Sequence, residues 1–256
     1  MSNAEELELQ NANYGILAFW GARAESPDQL ADRLLQTLTR VRAIDRLFHQ
    51  WYFVHEDDGV PLHSVDRPQL TALIADHVSR DDFDVPEVEA GYYFTVVNEG
   101  ERSPRSAHLR FHTGCSYSWS SHSNSAIFNT DEFVPQDVTL FTPALFKQVL
   151  LALVGAWEPS WCEVGSSETR DLSPSIRETG TPMVRLAWMT YLSPRFARLV
   201  TPPEAAIVEQ TPDGGLLMIA SAERFNVGNA QHMRVAREIE ASLAPVNALP
   251  WSERGA

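Results

Sequence analysis

Residues 26–54 read SPDQLADRLLQTLTRVRAIDRLFHQWYFV and predict a capped amphipathic helix followed by a strand. Ser26 is suited to the N-cap, Pro27 to the first helical position, and Gln29 completes a capping box. Apolar residues then recur at helical spacing, which predicts a helix that continues to about Leu47 and buries one face. That face consists of Leu30, Leu34, Leu38 and Val41, and the apolar run Trp51–Val54 supplies the strand.

A second stretch, residues 142–164, repeats this layout. Thr142 and Pro143 begin a predicted helix with an apolar face, and a strand follows at residues 161–164. Neither copy contains a nucleophile, a phosphate loop or a metal-ligand spacing. Because the identity between the copies is low, the duplication is a hypothesis about architecture. A repeated scaffold without a catalytic motif favours binding over turnover.

The remaining periodicity predicts a protein of the α+β class. Residues 14–20 form a continuous apolar run that is typical of a central strand. Hairpins are predicted at residues 91–112 and 205–221, helices at 68–79 and 229–244, and strands at 138–141 and 184–191. We therefore expect a largely antiparallel sheet with packed helices. Two halves, 1–125 and 126–256, are expected to divide at the serine-rich stretch 115–124 and to pack as one compact unit.

The composition is that of a folded globular protein. Of the 256 residues, 44% are hydrophobic and seven are Trp, which is enough for a substantial core. No apolar run approaches the ~20 residues that span a bilayer. The N-terminal residues do not have the pattern of a secretory signal. Cys115 and Cys162 are too few for a disulfide framework, so we expect reduced thiols and a cytoplasmic location.

Acidic residues outnumber basic residues by 34 to 20, a net charge of −14. Such a chain repels nucleic acid and anionic membranes and attracts basic partners. General acidity of a soluble protein is the alternative, but clustering between residues 76 and 101 favours a functional role. The candidates for binding a partner are Asp57, Asp58, Asp81, Asp82, Asp84, Glu87, Glu89, Glu99 and Glu101.

His108, His112, Cys115 and His122 resemble a zinc-ligand set. The alternation of residues 106–112 argues against it, because His108 and His112 lie about 13 Å apart on a strand at ~3.3 Å per residue. Cys115 with His122 could form a nucleophile and a base, but a packed core thiol is the simpler interpretation. We therefore predict no catalytic, cofactor-binding or metal-binding residue. The alternatives are a hydrolase-like enzyme near Cys115 and His122, and an acidic adaptor protein.

Large aromatic residues are predicted to be structural and to fill the space between helix and sheet. Strand alternation places Trp188 and Tyr191 on opposite faces of their segment, which leaves one of these rings available to a partner. The predicted structural aromatics are Trp20, Trp51, Trp157, Trp161, Trp188 and Tyr191.

With these residues in hand, the chain resembles immunity protein family 52. The match is spread in order over most of the chain, although the residue before Trp188 is Ala187 where the family pattern has glycine. Residues 55–90 and 100–125 match no part of the pattern. The matching segments are residues 19–23 (FWGAR) with Glu25-Ser26, 157–161 (WEPSW), 188–193 (WMTYLS), and 215–226 (GLLMIASAERFN) followed by Asn229 and His232.

This resemblance implies a bacterial antidote that is encoded beside a polymorphic toxin. Such proteins are α+β and bind a secreted toxin with a restriction-endonuclease-like nuclease domain, commonly delivered by a type VI secretion system. The expected partner is therefore a basic nuclease, with no cofactor, nucleic acid or membrane involved. Acidity, a cytoplasmic location and the lack of a catalytic motif agree with this expectation.

Overall fold

The structure is a computed structural model that describes residues 13–55, 58–99, 103–117, 124–130, 134–173 and 182–250. Ten strands and seven α-helices lie within these ranges. The strands are β1 Tyr14–Trp20, β2 Tyr52–His55, β3 Asp58–Pro61, β4 Tyr92–Val97, β5 Ala107–Thr113, β6 Asn124–Thr130, β7 Trp161–Ser166, β8 Met189–Leu192, β9 Ile207–Gln210 and β10 Leu216–Ile219. The helices are α1 Pro27–Arg42, α2 Arg67–Asp76, α3 Pro143–Trp157, α4 Ser167–Asp171, α5 Pro194–Ala197, α6 Ala230–Ser242 and α7 Ala244–Ala248.

All ten strands form one sheet in the order β3-β2-β4-β5-β6-β1-β7-β8-β10-β9. Every pair of neighbouring strands is antiparallel. The apolar strand β1 lies between β6 and β7, with Ile16 opposite both Phe128 and Val164. The predicted α+β class with a largely antiparallel sheet is therefore confirmed, as is the central position of β1.

The helix starts agree with the sequence. Ser26 caps α1 in a complete capping box with Gln29, and Thr142 caps α3 by accepting a hydrogen bond from the Leu145 amide. The end of α1 differs, because the helix stops at Arg42 and a short 3-10 turn, Arg46–Phe48, follows it. Asp45 caps that turn through the Leu47 amide, which competes with continuation of the helix.

The core lies between the sheet and helices α1 and α3. In β1, Ile16, Ala18 and Trp20 are buried, whereas Leu17 and Phe19 are half-buried on the opposite face. Trp157, at the end of α3, is 0% exposed, and its ring centroid lies 5.5 Å from that of Trp20. This aromatic contact joins the helix layer to the central strand.

The proposed repeat is not confirmed, because its two strands have different positions in the sheet. β2 lies beside the edge strand β3, whereas β7 lies near the centre between β1 and β8. The division predicted at residue 125 falls inside β6, and β1 from the first segment pairs with both β6 and β7. Both segments therefore contribute strands to one sheet.

Sequence periodicity misplaced one strand. The predicted strand at residues 138–141 is wrong, since these residues form turns in which Asp137 accepts a hydrogen bond from the Thr139 amide. The strand lies earlier, in β6, whose buried face begins and ends with the polar residues Asn124 and Thr130. Asn124 donates a hydrogen bond to the Gly21 carbonyl oxygen at 2.5 Å, so this polar side chain is stable in a buried position. Because a polar residue occupies a buried position, the sequence does not show the apolar–polar alternation that is typical of a strand.

None of the helices in the described residues is long and apolar enough to cross a membrane.

Candidate protein-binding surface

The acidic segment forms a closed loop between α2 and β4. The Ser79 amide donates to the Gly91 carbonyl oxygen at 2.8 Å, and the Glu87 amide donates to the Ser79 carbonyl oxygen at 2.8 Å. An isolated β-bridge joins Arg80 to Pro86 between these bonds. Residues 79–91 therefore leave and return to the sheet as a narrow hairpin-like loop.

The tip of this loop is held by Asp81. Its carboxylate accepts hydrogen bonds from the backbone amides of Phe83 and Val85, both at 2.9 Å. Asp84 adopts a left-handed conformation with φ 63°, which aspartate tolerates better than most residues. Arg80 donates to the Asp84 carbonyl oxygen at 2.8 Å and closes the turn from the other side.

The base of the loop packs tightly on the end of β5. Gly91 has φ 84°, and a Cβ at this position would lie only 2.5 Å from the Thr113 carbonyl oxygen. The Ser116 amide donates to the Glu89 carbonyl oxygen at 2.9 Å. The Tyr117 hydroxyl donates to the Glu87 carboxylate, and this hydrogen bond raises the pKa of Tyr117 to about 12. Both ends of the loop are therefore fixed.

Apolar side chains are exposed on this acidic loop and at the start of β4. Phe83 is 86% exposed, and Val85, Val88 and Tyr93 are 55%, 56% and 52% exposed. They are four of the nine large apolar side chains that are exposed among the described residues. Asp81, Asp82, Asp84 and Glu89 are exposed beside them and Glu87 is half-buried. We call these nine residues the loop patch: Asp81, Asp82, Phe83, Asp84, Val85, Glu87, Val88, Glu89 and Tyr93.

The other acidic candidates do not join the loop patch as one group. Glu99 follows the opposite end of β4, roughly 20 Å from Tyr92 at ~3.3 Å per residue. There it accepts a hydrogen bond from Ser103 at 2.7 Å and lies near Arg105. Asp58 begins β3 opposite His55, and the register of β2 on β4 places this pair toward the Tyr92 end of β4. Asp57 and Glu101 lie outside the described residues, as does the side chain of Asp58.

The environment of Cys115, the candidate nucleophile of the alternative enzymatic interpretation, disfavours a thiolate. Cys115 is 0% exposed, and burial raises the pKa of its thiol. Burial also raises the pKa of Cys162. His122 lies outside the described residues. Within the described part of the chain, no group of three His, Cys, Asp or Glu residues could hold a metal ion.

A serine–histidine contact occurs elsewhere, where Ser221 Oγ lies 3.0 Å from His232 Nε2. The Asn226 amide donates to His232 Nδ1 at 3.2 Å, so the proton of the neutral ring is on Nε2 and is donated to Ser221. This is the reverse of the direction required for a general base. Burial lowers the pKa of His232 and favours the neutral ring. The contact is therefore a structural hydrogen bond.

The predicted structural aromatics are all buried, with Trp20 at 3%, Trp51 and Tyr191 at 1%, and Trp157, Trp161 and Trp188 at 0% exposure. The expectation that Trp188 or Tyr191 faces a partner is wrong. Strand β8 is buried on both faces, the Trp188 Nε1 group donates to the Ser221 carbonyl oxygen at 2.8 Å, and Tyr191 donates to Asp213 at 2.5 Å.

The segments that carried the family resemblance meet in the core. The Ser160 amide donates to the Phe19 carbonyl oxygen at 2.8 Å, and Arg23 donates to the Trp157 carbonyl oxygen at 2.9 Å. The Phe225 ring stacks on His232 with centroids 5.7 Å apart. These contacts are internal to the fold, whereas the loop patch lies outside the segments that carried the resemblance in the sequence.

A family model described as Immunity protein 52 matches residues 12–249, nearly the full chain. The chain belongs to this family. Its partner is therefore expected among protein toxins, and the resemblance seen in the sequence of this immunity protein is confirmed.

A search of solved structures found a T6SS protein of Pseudomonas aeruginosa with a similar fold. The TM-score is 0.56 at 12% identity, and the match covers 90% of this immunity protein and 73% of the other chain. A search of curated proteins returned no match. At this identity the structural likeness concerns the fold alone.

Proposed function

We propose that this immunity protein neutralises a cognate secreted nuclease toxin in the cytoplasm by forming a stoichiometric complex with it, without a cofactor. Family membership over residues 12–249 is the observation that carries the proposal. The net charge of −14 supports the nuclease assignment. A nuclease carries basic residues where it holds the phosphate backbone, and an acidic protein complements that surface.

The test is a titration of the nuclease toxin domain that family membership predicts in the neighbouring gene. Plasmid cleavage is measured against increasing immunity protein, and the mass of the complex is determined by light scattering. We expect cleavage to fall linearly and to end near one equivalent, because a tight complex removes one toxin per immunity protein. Cleavage that persists in excess immunity protein would contradict the proposal. Inactivation by far less than one equivalent would favour the enzymatic alternative.

The exposed carboxylates of the loop patch are expected to accelerate capture of the toxin. Electrostatic steering raises association rates from ~10⁵–10⁶ to as much as ~10⁸–10⁹ M⁻¹s⁻¹ at low salt. The combined changes Asp82→Asn, Asp84→Asn and Glu89→Gln should therefore slow association about tenfold at low salt and reduce its salt dependence. Stopped-flow measurement of the association rate over a salt series checks this. Asp81 and Glu87 are left unchanged because their hydrogen bonds hold the loop.

The matched control removes three exposed carboxylates elsewhere, with Asp171→Asn, Glu204→Gln and Glu223→Gln. Both variants have the same net charge, so any difference between them reports the location of the charges. Equal association rates for the two variants would show that the acidic cluster has no special part in steering.

A further inference from the structure

The loop patch exposes apolar area that the fold does not require. Phe83 is 86% exposed at the loop tip, although phenylalanine is among the side chains most often buried. Val85, Val88 and Tyr93 are each more than half exposed within the same short stretch of chain. A concentration of apolar side chains rimmed by polar groups is typical of a protein–protein contact.

The tip is organised before any partner arrives. The hydrogen bonds that Asp81 accepts from the Phe83 and Val85 amides fix the backbone on both sides of the exposed ring. Arg80 and the tightly packed base at Gly91 hold the rest of the loop. A side chain presented on a fixed backbone loses little conformational entropy on binding, which favours affinity.

The carboxylates of the loop patch restrict the kind of partner that can bind there. Pairing with a second copy of this chain would place the carboxylates of one loop patch against those of another, and such like-charge contacts oppose binding. Nucleic acid is repelled for the same reason. The complementary surface belongs to a protein and combines an apolar pocket with a rim of Lys and Arg side chains.

We propose that Phe83 is the anchor of the toxin complex. Its ring enters an apolar pocket on the basic surface of the toxin, Val85, Val88 and Tyr93 cover the pocket margin, and the carboxylates face Lys and Arg on the rim. This inference rests on the proposed function, since it assigns the surface that performs the neutralisation. Binding energy at such interfaces is concentrated in a few desolvated aromatic or arginine side chains.

The experiment measures binding of catalytically inactivated toxin domain to full-length wild-type protein, to Phe83→Ala, and to the control Leu199→Ala, whose side chain is 43% exposed. Phe83→Ala should raise the dissociation constant of the toxin complex about 30-fold, mainly through faster dissociation. Leu199→Ala should stay within about threefold of wild type, and the thermal melts of all three proteins should agree because both side chains are exposed.

A loss of tenfold or more that is confined to Phe83→Ala supports the inference. Wild-type binding with a loss of less than tenfold in Phe83→Ala would overturn it and leave the proposed function intact. Wild-type protein that neither binds nor inhibits the toxin would overturn both. Wild-type protein that sediments as a dimer, with Phe83→Ala monomeric, would assign the surface to a second copy instead of the toxin.

Discussion

Replacing Trp157 by alanine is expected to lower the free energy of unfolding by about 3–5 kcal/mol. The side chain is 0% exposed, and its ring packs on Trp20 and Phe111, with centroids 5.5 and 4.9 Å away. Its Nε1 group donates to Thr37 Oγ1 at 2.8 Å and so ties the end of α3 to α1. Urea unfolding followed by circular dichroism measures the change.

The control is Trp157→Phe, which keeps an aromatic ring against Trp20 but loses the hydrogen bond to Thr37. Its loss of stability should be smaller than that of Trp157→Ala, because less apolar volume is removed. Toxin inhibition should decline with stability in both variants. If Trp157→Ala unfolds like wild type but no longer binds toxin, the side chain is a binding residue and its assignment to the core is wrong.

Loss of the Glu163–Arg185 ion pair should have an effect of similar size. The residues are 3% and 7% exposed, Arg185 Nε lies 3.1 Å from Glu163 Oε2, and the Arg185 amide donates to Glu163 Oε1 at 2.7 Å. Glu163→Gln leaves a guanidinium buried without its counter-charge, at a cost of about 3–5 kcal/mol. Urea unfolding at pH 7 provides the measurement.

The stabilities of the variants Arg185→Met and Glu163→Gln should depend differently on pH. Burial raises the pKa of Glu163 above its usual value, so in Arg185→Met this carboxyl can take up a proton, whereas the guanidinium in Glu163→Gln stays charged. A raised folded-state pKa means that the folded protein binds the proton first. Arg185→Met should therefore regain stability relative to Glu163→Gln as pH falls from 7 toward about 5.

The double variant Glu163→Gln with Arg185→Met completes the comparison. It should be more stable than Glu163→Gln alone, because no charge remains buried without a partner. Strictly additive losses would show that the two side chains do not interact, and would contradict the interpretation of the pair as one buried unit.

The sequence predicted correctly the parts of the fold that depend only on residues close together in the chain. The N-caps at Ser26 and Thr142 and the hairpin of β9 and β10 depend on neighbours in sequence, and each was found as expected. Strand β6 was missed because its buried polar ends are satisfied by distant partners, such as Gly21 for Asn124. The position of β7 beside β1 depends on pairing across more than a hundred residues, which no local pattern specifies.

The candidate surface was only partly visible in the sequence. Charge clustering identified Asp81, Asp82, Asp84, Glu87 and Glu89, but the charge pattern gave no reason to single out Phe83. An isolated phenylalanine between acidic residues could equally have turned inward. In the structure its side chain is 86% exposed, on a loop tip whose backbone amides are hydrogen-bonded to the Asp81 carboxylate. The base of the same loop is closed by the hydrogen bond from the Ser79 amide to the Gly91 carbonyl oxygen.

By itself, the sequence determined the α+β class, the acidic character, the local helix and turn signals, and the family to which this immunity protein belongs. Each depends on composition or on residues close along the chain. Tertiary structure decided the single ten-stranded sheet and the burial of Trp188 and Tyr191. These features depend on contacts between distant segments, whose free energy arises only when the whole sheet and its core assemble.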